Sequence, residues 1–322
     1  MTSFLIISLD FELHWGRFDK IPLSGALDYY RGARYAIPKM LDLFDRHHIH
    51  ATWATVGSLM AENEEEWRQY NPEIQPSYEN LKYSAYHWFT NQDRIAGDAL
   101  FAPDLVKLVI DCPYQEIGSH TFAHYYTCEP GQSDEQFRAD LKAAQKIAKE
   151  KFSISLDSLV FPRNQVDRHS LQIAREEGFR TARTNPKDWY WKDTHRENLI
   201  KRLFRTGDTL ISLGEKTSYT LPEKQNGDLL PLPASRLLRP YRKTSLFNQK
   251  RINRIKEEME RAARLGELYH LWWHPHNFGH FPEENLQCLE GVLQHFRKLE
   301  GDYGMVSRGM GGMLNEELRM KN

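Results

Sequence analysis

The chain reads as an α/β protein organised on one mostly parallel sheet. Three observations predict this. Apolar runs of strand length alternate with amphipathic helical stretches from Phe4 to the end of the 322 residues. No linker and no internal repeat interrupts that alternation, so a single unit over 1–322 is expected. Polar residues follow the strand-like runs directly: Asp10 and Glu12, His120 and His124, Arg163, then His274 and His276. Chemistry gathered from the carboxyl ends of several strands is the signature of a barrel-type site.

Phe4–Leu9 is a near-continuous apolar run, as expected of a strand covered on both faces. It stops at Asp10-Phe11-Glu12, where a period of two points both carboxylates to one side. Gly32–His47 is an amphipathic helix with Tyr35, Ile37, Met40, Leu41 and Phe44 inward, and Pro38 fits only if the helix begins near it. Ala51–Gly57 is the second strand. Residues 70–102 hold Pro72, Pro76 and many aromatic residues without a clean period, which marks an irregular insertion: a lid, a binding loop, or a cover over a helix. Pro103–Asp111 is a short helix with proline in its first turn.

The strand Gln115–Ile117 leads into Gly118-Ser119-His120-Thr121-Phe122-Ala123-His124. Imidazoles four apart sit on one side of a helical turn, about 5–6 Å apart at Cβ. Such a pair can hold a divalent metal if a carboxylate arrives from elsewhere, or simply hydrogen-bond at the surface. Ser133-Asp134-Glu135-Gln136 is a capping-box pattern opening a helix to about Lys151. Leu156–Phe161 is a strand ending at Pro162-Arg163-Asn164-Gln165, and a helix over His169–Glu177 closes at Gly178. Phe179–Arg183 is a short strand leading to Asp188-Trp189, and Leu230-Pro231-Leu232-Pro233 reads as loop. A charged helix over Leu246–Leu265 closes at Gly266, and Glu267–Trp273 is a strong strand ending in His274-Pro275-His276. A helix over Pro282–Leu299 and a short strand at Met305–Val306 complete the pattern.

A net charge of −1 with scattered Lys and Arg gives no global field for nucleic acid or an anionic membrane. No apolar stretch reaches the length of a membrane span. Three cysteines without a CxxC argue for a reducing compartment. The N-terminal apolar run has no basic leader and ends in an acid, so no signal peptide is read and a cytoplasmic location is expected. Nothing in the sequence sets an oligomeric state.

In this order the motifs resemble those of the polysaccharide deacetylase family (carbohydrate esterase family four, the chitooligosaccharide deacetylase homology domain), over roughly residues 4–310. Ser8-Leu9-Asp10-Phe11-Glu12 is similar to its aspartate-rich strand end, and His120-Thr121-Phe122-Ala123-His124 to its His-(Ser/Thr)-x-x-His motif. Phe161-Pro162-Arg163-Asn164 is similar to its Arg-Pro turn with the order disturbed, Asp188-Trp189 to its Asp-Trp element, and Leu271-Trp272-Trp273-His274 to its last strand end. The resemblance implies a distorted (β/α) barrel of about seven parallel strands. It implies a metal-dependent hydrolase that removes an N-acetyl or related acyl group from an amino sugar of a surface-glycan precursor or polysaccharide. Many members carry adjacent aspartates, and here Phe11 stands at the second place. The resemblance therefore makes Asp10 the base and Glu12 the third ligand, beside His120 and His124, of Zn²⁺ or another divalent transition metal.

By the same resemblance His274 is the acid, with His276 its rival, Arg163 restrains Asp10, and Asp188 orients His274 or pairs with Arg163. His14 and Trp15 are further candidates for substrate contact, with a surface role and plain packing as their simpler uses. Two other functions stay open. One is an allantoinase-like amide or ureide hydrolase on the same fold; the other is a catalytically inactive, carbohydrate-binding member, which Phe11 and the disturbed arginine motif would suit.

Overall fold

Strand β1 (Phe4–Phe11) is buried along its whole length because it is covered on both faces. Its side chains alternate between two surroundings. Leu5, Ile7, Leu9 and Phe11 join the large core between the sheet and its helices, whereas Phe4 and Ile6 join a smaller cluster with Val160, Leu230, Leu268 and Met310. That smaller cluster fills the inside of a curved sheet. Above Phe4 and Ile6 the same inward column continues as Ser8 and Asp10, apolar at the bottom and polar at the top.

The computed structural model describes residues 2–92, 96–192, 194, 199–211, 213–214, 217–221, 229–244 and 246–320. After β1 come β2 (Ala51–Thr55), β3 (Gln115–Ser119), β4 (Ser158–Val160), β5 (Thr181–Thr184), β6 (Leu230–Pro233), β7 (Arg236–Leu237), β8 (Leu268–Trp273) and β9 (Val306–Arg308). The order is β6-β5-β4-β3-β2-β1-β8-β7, every ladder is parallel, and β9 pairs with the first half of β1. Only Ala234 and Ser235 separate β6 from β7. The Ala234 N–H bonds to Thr184 on one side, and the Ser235 N–H bonds to His270 on the other. One bent run, 230–237, thus passes from the β5 edge to the β8 edge and closes the ring. Counted that way the barrel has about seven staves, as the resemblance implied.

The reading of Leu230–Pro233 as loop is corrected here. Prolines remove ladder donors and are expected outside central strands. In this run they alternate with leucine, so Leu230 and Ala234 donate to β5 while Pro231 and Pro233 occupy the positions between. The missing N–H groups belong to positions that the β5 ladder does not use.

The helices are α1 (Leu27–Arg46), α2 (Glu64–Tyr70), α3 (Ala85–Thr90), α4 (Gly97–Leu100), α5 (Pro103–Asp111), α6 (Asp134–Phe152), α7 (Arg168–Glu176), α8 (Leu199–Gly207), α9 (Asn248–Leu265), α10 (Pro282–Tyr303) and α11 (Met313–Met320). Helix α1 begins earlier than expected, so Pro38 lies in its interior and Tyr35 is exposed. An interior proline costs about 3 kcal/mol. Burial of Tyr29, Tyr30, Ile37, Met40, Leu41, Leu43 and Phe44, at roughly 1.5–3 kcal/mol for each large apolar side chain, outweighs it. The helix also packs closely on the turn after β8: a Cβ on Gly32 would lie 2.3 Å from the Gly279 carbonyl oxygen. The capping box at Ser133 and the left-handed cap at Gly266 stand where the sequence put helix ends, whereas α10 runs past the expected end at Leu299 to a left-handed cap at Gly304.

The insertion at 70–102 contains α3 and α4, and its residues 93–95 lie outside the described residues. It is mainly packing. Tyr86 stacks on Trp67, Phe89 meets Trp67 tilted at 4.3 Å, and Phe89 stacks on Trp15 at 5.8 Å. Trp15 is therefore core, with its indole N–H bonded to the Leu100 carbonyl. His14 is buried beside Tyr30 (Nδ1 to Oη, 2.9 Å) and not on the surface.

Candidate active site

Four strands deliver their inward columns to one end of the barrel. On β8 the column is Leu268, His270, Trp272 and then His274. On β5 it is Thr181 and Arg183, and on β3 it is Glu116 and Gly118 followed by His120. With Asp10 on β1, these strand ends meet in a cleft of about 550 Å³ lined by Asp10, Glu12, His120, His124, Arg163 and His274 among others.

Glu12 reaches the cluster because the strand breaks beneath it. Leu13 takes a positive φ of 42° and Leu13–Gly16 forms a tight 3-10 turn, which folds the Glu12 carboxylate back over Gly16. A Cβ on Gly16 would lie 1.8 Å from Glu12 Oε1, so only glycine leaves that space. Glu12 Oε2 lies 3.1 Å from His120 Nε2 and 3.0 Å from His124 Nε2. Donor atoms of these three buried residues all lie within 4.8 Å of one another.

The helical turn expected for His120–His124 is not formed. Thr121 and His124 both have positive φ, 63° and 55°, and the segment is an irregular loop. Positive φ on a β-branched residue is strained. The loop is fixed by Asp140 of α6, whose carboxylate accepts from Phe122 N (2.6 Å) and Ala123 N (3.2 Å), and by Ser119 Oγ, which accepts from Thr121 N at 3.0 Å. Burial raises the Asp140 carboxyl to about 7 against those N–H bonds. The loop holds the two rings 5.1 Å apart at an interplanar angle of 61°.

The tautomers fit a cation. His120 Nδ1 lies 2.8 Å from the Val160 carbonyl oxygen, which only accepts, so Nδ1 carries the proton. In the neutral ring Nε2 is then a bare lone pair facing a carboxylate oxygen. Burial pushes His124 down to about 4, which leaves that ring neutral near pH 7. Burial opposes ionisation of Glu12, but the electrostatic pull of His274, 3.6 Å from its Oε1, leads the interactions that outweigh burial and hold its carboxyl well below the usual range. His124 Nδ1 lies 3.1 Å from the Tyr126 hydroxyl, which can accept its proton; in that tautomer an anionic oxygen and two nitrogen lone pairs converge on one point, the donor set that a three-ligand metal site requires.

Asp10 lies beside this set. Arg183 donates to both its oxygens, Nη1 to Oδ1 at 2.5 Å and Nη2 to Oδ2 at 2.8 Å, while also donating to Ser8 Oγ and Asn164 Oδ1. Burial raises the Asp10 carboxyl, and the Arg183 charge and hydrogen bonds more than reverse that, so it stays below its ordinary value. His274 Nε2 is 3.7 Å from Asp10 Oδ2 and 3.6 Å from Glu12 Oε1, with a quarter of its side chain (26%) open to the cleft. His276 also approaches Glu12, at 3.9 Å, but it is buried behind the cleft, and burial lowers its imidazole to about 3.

Two expected contacts are corrected. Arg163 adopts a left-handed turn (φ 54°) and its guanidinium pairs with Asp19, over the ring of Tyr126, so the arginine on Asp10 comes from β5 instead. Asp188 falls four residues past the end of β5, where its carboxylate lies against Tyr190 and Gly214 and does not line the cleft. Arg183 was not singled out from the sequence. The available signal was a polar pair at alternate positions, Thr181 and Arg183, in a strand whose neighbours are apolar.

A family model described as polysaccharide deacetylase matches residues 18–182, half of the chain. The chain belongs to the polysaccharide deacetylase family. It is a hydrolase of amide C–N bonds in a carbohydrate-acting family. The matched span includes His120, His124 and Arg163, whereas Asp10, Glu12, Arg183 and His274 lie outside it and join the site through the fold. No curated protein matches the chain.

Among solved structures, one from Mycobacterium smegmatis titled a putative polysaccharide deacetylase has TM-score 0.64 and 14% identity, covering 100% of this chain and 92% of its own. A probable polysaccharide deacetylase from Pseudomonas aeruginosa PAO1 has TM-score 0.53 and 14% identity, covering 92% and 84%. Puue allantoinase has TM-score 0.56 and 13% identity, covering 91% and 84%. At these identities the likeness is one of fold, and it joins the deacetylase barrel to this one. Among the described residues no helix is long and apolar enough to cross a membrane.

Proposed function

We propose that this polysaccharide deacetylase family member removes the acetyl group from an N-acetylated amino sugar, with a divalent metal held by Glu12, His120 and His124. The observation that carries the reading is the single contact point of those side chains: Glu12 Oε2 within 3.1 Å of both imidazoles, in the cleft that Asp10 and His274 also line. A divalent ion such as Zn²⁺, when bound, supplies Lewis acidity to the amide carbonyl and makes water a nucleophile near neutral pH.

The protein's own groups account for the proton transfers. Asp10, kept ionised by Arg183, accepts the proton of the attacking water. Arg183 also fixes the carboxylate plane, leaving it no freedom to turn away. His274, the more exposed imidazole, at the end of the neighbouring strand β8, delivers a proton to the departing amine. His276 serves as buried support behind Glu12. The cation–π contact of Arg183 over Trp272, at 4.3 Å, keeps the guanidinium and the cleft wall in register. Three free cysteines suit a reducing, cytoplasmic setting, and with it a soluble or membrane-linked precursor of a surface glycan as substrate.

The test is metal analysis of the purified protein with acetate release from N-acetylated amino sugars. One ion per chain and acetate release are expected. Asp10→Asn should abolish turnover and keep the ion, while His120→Ala should lose both. Ureide hydrolysis without acetate release would replace the deacetylase reading by the allantoinase-like one. A stoichiometric ion in His120→Ala would refute the ligand set.

A further inference from the structure

The cleft of the proposed metal site is also lined by Arg202, Arg236 and Arg239. Arg236 is fully compensated. It donates to Asp208 Oδ2 at 2.6 Å and to both oxygens of Glu258 at 2.5 and 3.0 Å. Arg163, at the cleft wall, is compensated by Asp19. Arg239 differs from both. No carboxylate of the described residues lies in ion-pair range of it, and its Nε is buried without an acceptor. Its charged surroundings are Arg251, Arg242 and Arg236, and burial together with these like charges lowers its guanidinium to about 10.

Arg251 repeats the pattern. It lies in the first turn of α9, and its Nε and Nη1 are also buried without acceptors. That first turn contains no acidic residue to balance the positive end of the helix. A second, very small cavity of about 10 Å³, lined by Arg251 among others, shares Arg236 and Arg239 with the wall of the main cleft. The segment is held in place and does not dangle: Tyr241 N donates to Asn285 Oδ1 at 2.7 Å, and Asn248 ties α9 to the backbone of Arg242 through two hydrogen bonds.

Gathering half-buried guanidinium groups without carboxylates is unfavourable in the free protein, and an anion reverses the sign of that term. Guanidinium forks match phosphate oxygens in particular. We propose that Arg239, with Arg251 behind it, forms an anion subsite at the wall of the cleft, which takes a phosphate or diphosphate carried by the amino-sugar substrate. The substrate class is then a phosphate-linked N-acetylated amino sugar and not an uncharged polymer. This rests on the amide-hydrolase reading of the same cleft.

The test separates the two. Inorganic pyrophosphate is titrated calorimetrically into wild type, Arg239→Gln/Arg251→Gln and Arg239→Lys, with metal content and melting temperature recorded for each. The double variant should bind pyrophosphate at least about tenfold more weakly, with metal content unchanged and melting temperature not lowered, and Arg239→Lys should keep most of the affinity. Pyrophosphate held by a metal would bind wild type and double variant alike, so equal affinity overturns the proposal, as does absence of binding at millimolar concentration. Acetate release is then followed from a free N-acetylhexosamine, a nucleoside-diphosphate-linked one and a polyprenyl-phosphate-linked one. Loss in the double variant of at least about tenfold in kcat/KM for one linked form, with the free sugar unchanged, names the source of the phosphate. Equal kcat/KM in wild type and variant for both linked forms overturns the subsite. Weakened pyrophosphate binding with no acetate release from any of the three leaves the subsite standing and removes the deacetylase reading.

Discussion

Arg183 lies across the Asp10 carboxylate with both terminal nitrogens donating, at 2.5 and 2.8 Å, and both residues are buried. The pair joins β5 to β1 across the inside of the barrel. Truncating one partner of such a pair leaves a buried charge without compensation, at about 3–5 kcal/mol. Arg183→Gln should therefore melt well below wild type, and turnover should fall by orders of magnitude while the metal stays bound. Arg183→Lys should recover part of the stability and less of the turnover, because a point charge does not reproduce the two-pronged contact. Near-normal turnover in Arg183→Gln would remove this arginine from the machinery.

How far the sequence carried this site depends on which physical signal each residue sends. Asp10 and His274 close long apolar runs, and a buried strand with a polar terminus is legible without a structure. Arg183 sits in Thr-Ala-Arg-Thr, which a solvated strand face would also produce, and only barrel closure turns that face inward. The His120–His124 spacing marked two imidazoles that do lie together, by another geometry than the helical turn expected. A strained loop held by Asp140 does what a helical turn was expected to do. Leu230–Pro233 was hidden by its prolines, whose effect depends on which edge of the strand is paired. Arg163 and Asp188 match the motifs in order but turn their side chains to Asp19 and to Tyr190, because a short motif fixes sequence order better than side-chain direction.

Gly16 is the floor of the Glu12 carboxylate. A methyl group there would stand 1.8 Å from Oε1 and 1.9 Å from Cδ, so Glu12 must turn out of the cluster. Gly16→Ala should lower metal affinity strongly, in the range of about 10–100-fold seen when the support of a ligand is lost. Competition with a chelator measures this. Metal retention equal to wild type would mean that Glu12 is not a ligand.

The Arg236–Asp208 pair gives a pH dependence whose sign can be worked out. Burial raises the Asp208 carboxyl, and Arg236 reverses this and holds it below 3.8. A carboxyl depressed on folding contributes stability above its unfolded value, and that contribution is lost as pH falls through the folded value. In Arg236→Gln burial is opposed only by the N–H groups of Leu213 and Gly214, so the Asp208 carboxyl moves up and the stability it contributes at higher pH shrinks. The stability gap between wild type and variant should thus widen from pH 3 to pH 7. Only carboxyls not bonded to Arg236 cancel in the difference; Asp208 and Glu258 both lose a partner in the variant. Paired melting curves across that range measure it, and a gap that does not change with pH contradicts the assignment.

Asp140 acts on the proposed metal ligands without touching them. Its two oxygens hold the N–H groups of Phe122 and Ala123, the residues between His120 and His124, while Thr121 is forced to a φ of 63°. Asp140→Asn keeps the shape but turns an NH₂ group toward one of those N–H donors, leaving a buried donor unmatched at about 1–3 kcal/mol. With that restraint loosened, the loop can relax toward an unstrained conformation and the rings lose their shared focus on Glu12. The expected result is weaker metal binding, by about 10–100-fold, in a protein that still folds. Excess metal should restore turnover in Asp140→Asn and should not do so in Asp10→Asn. That contrast is the decisive measurement: if metal fails to rescue Asp140→Asn, its carboxylate supports the fold alone and not the geometry of the histidine pair.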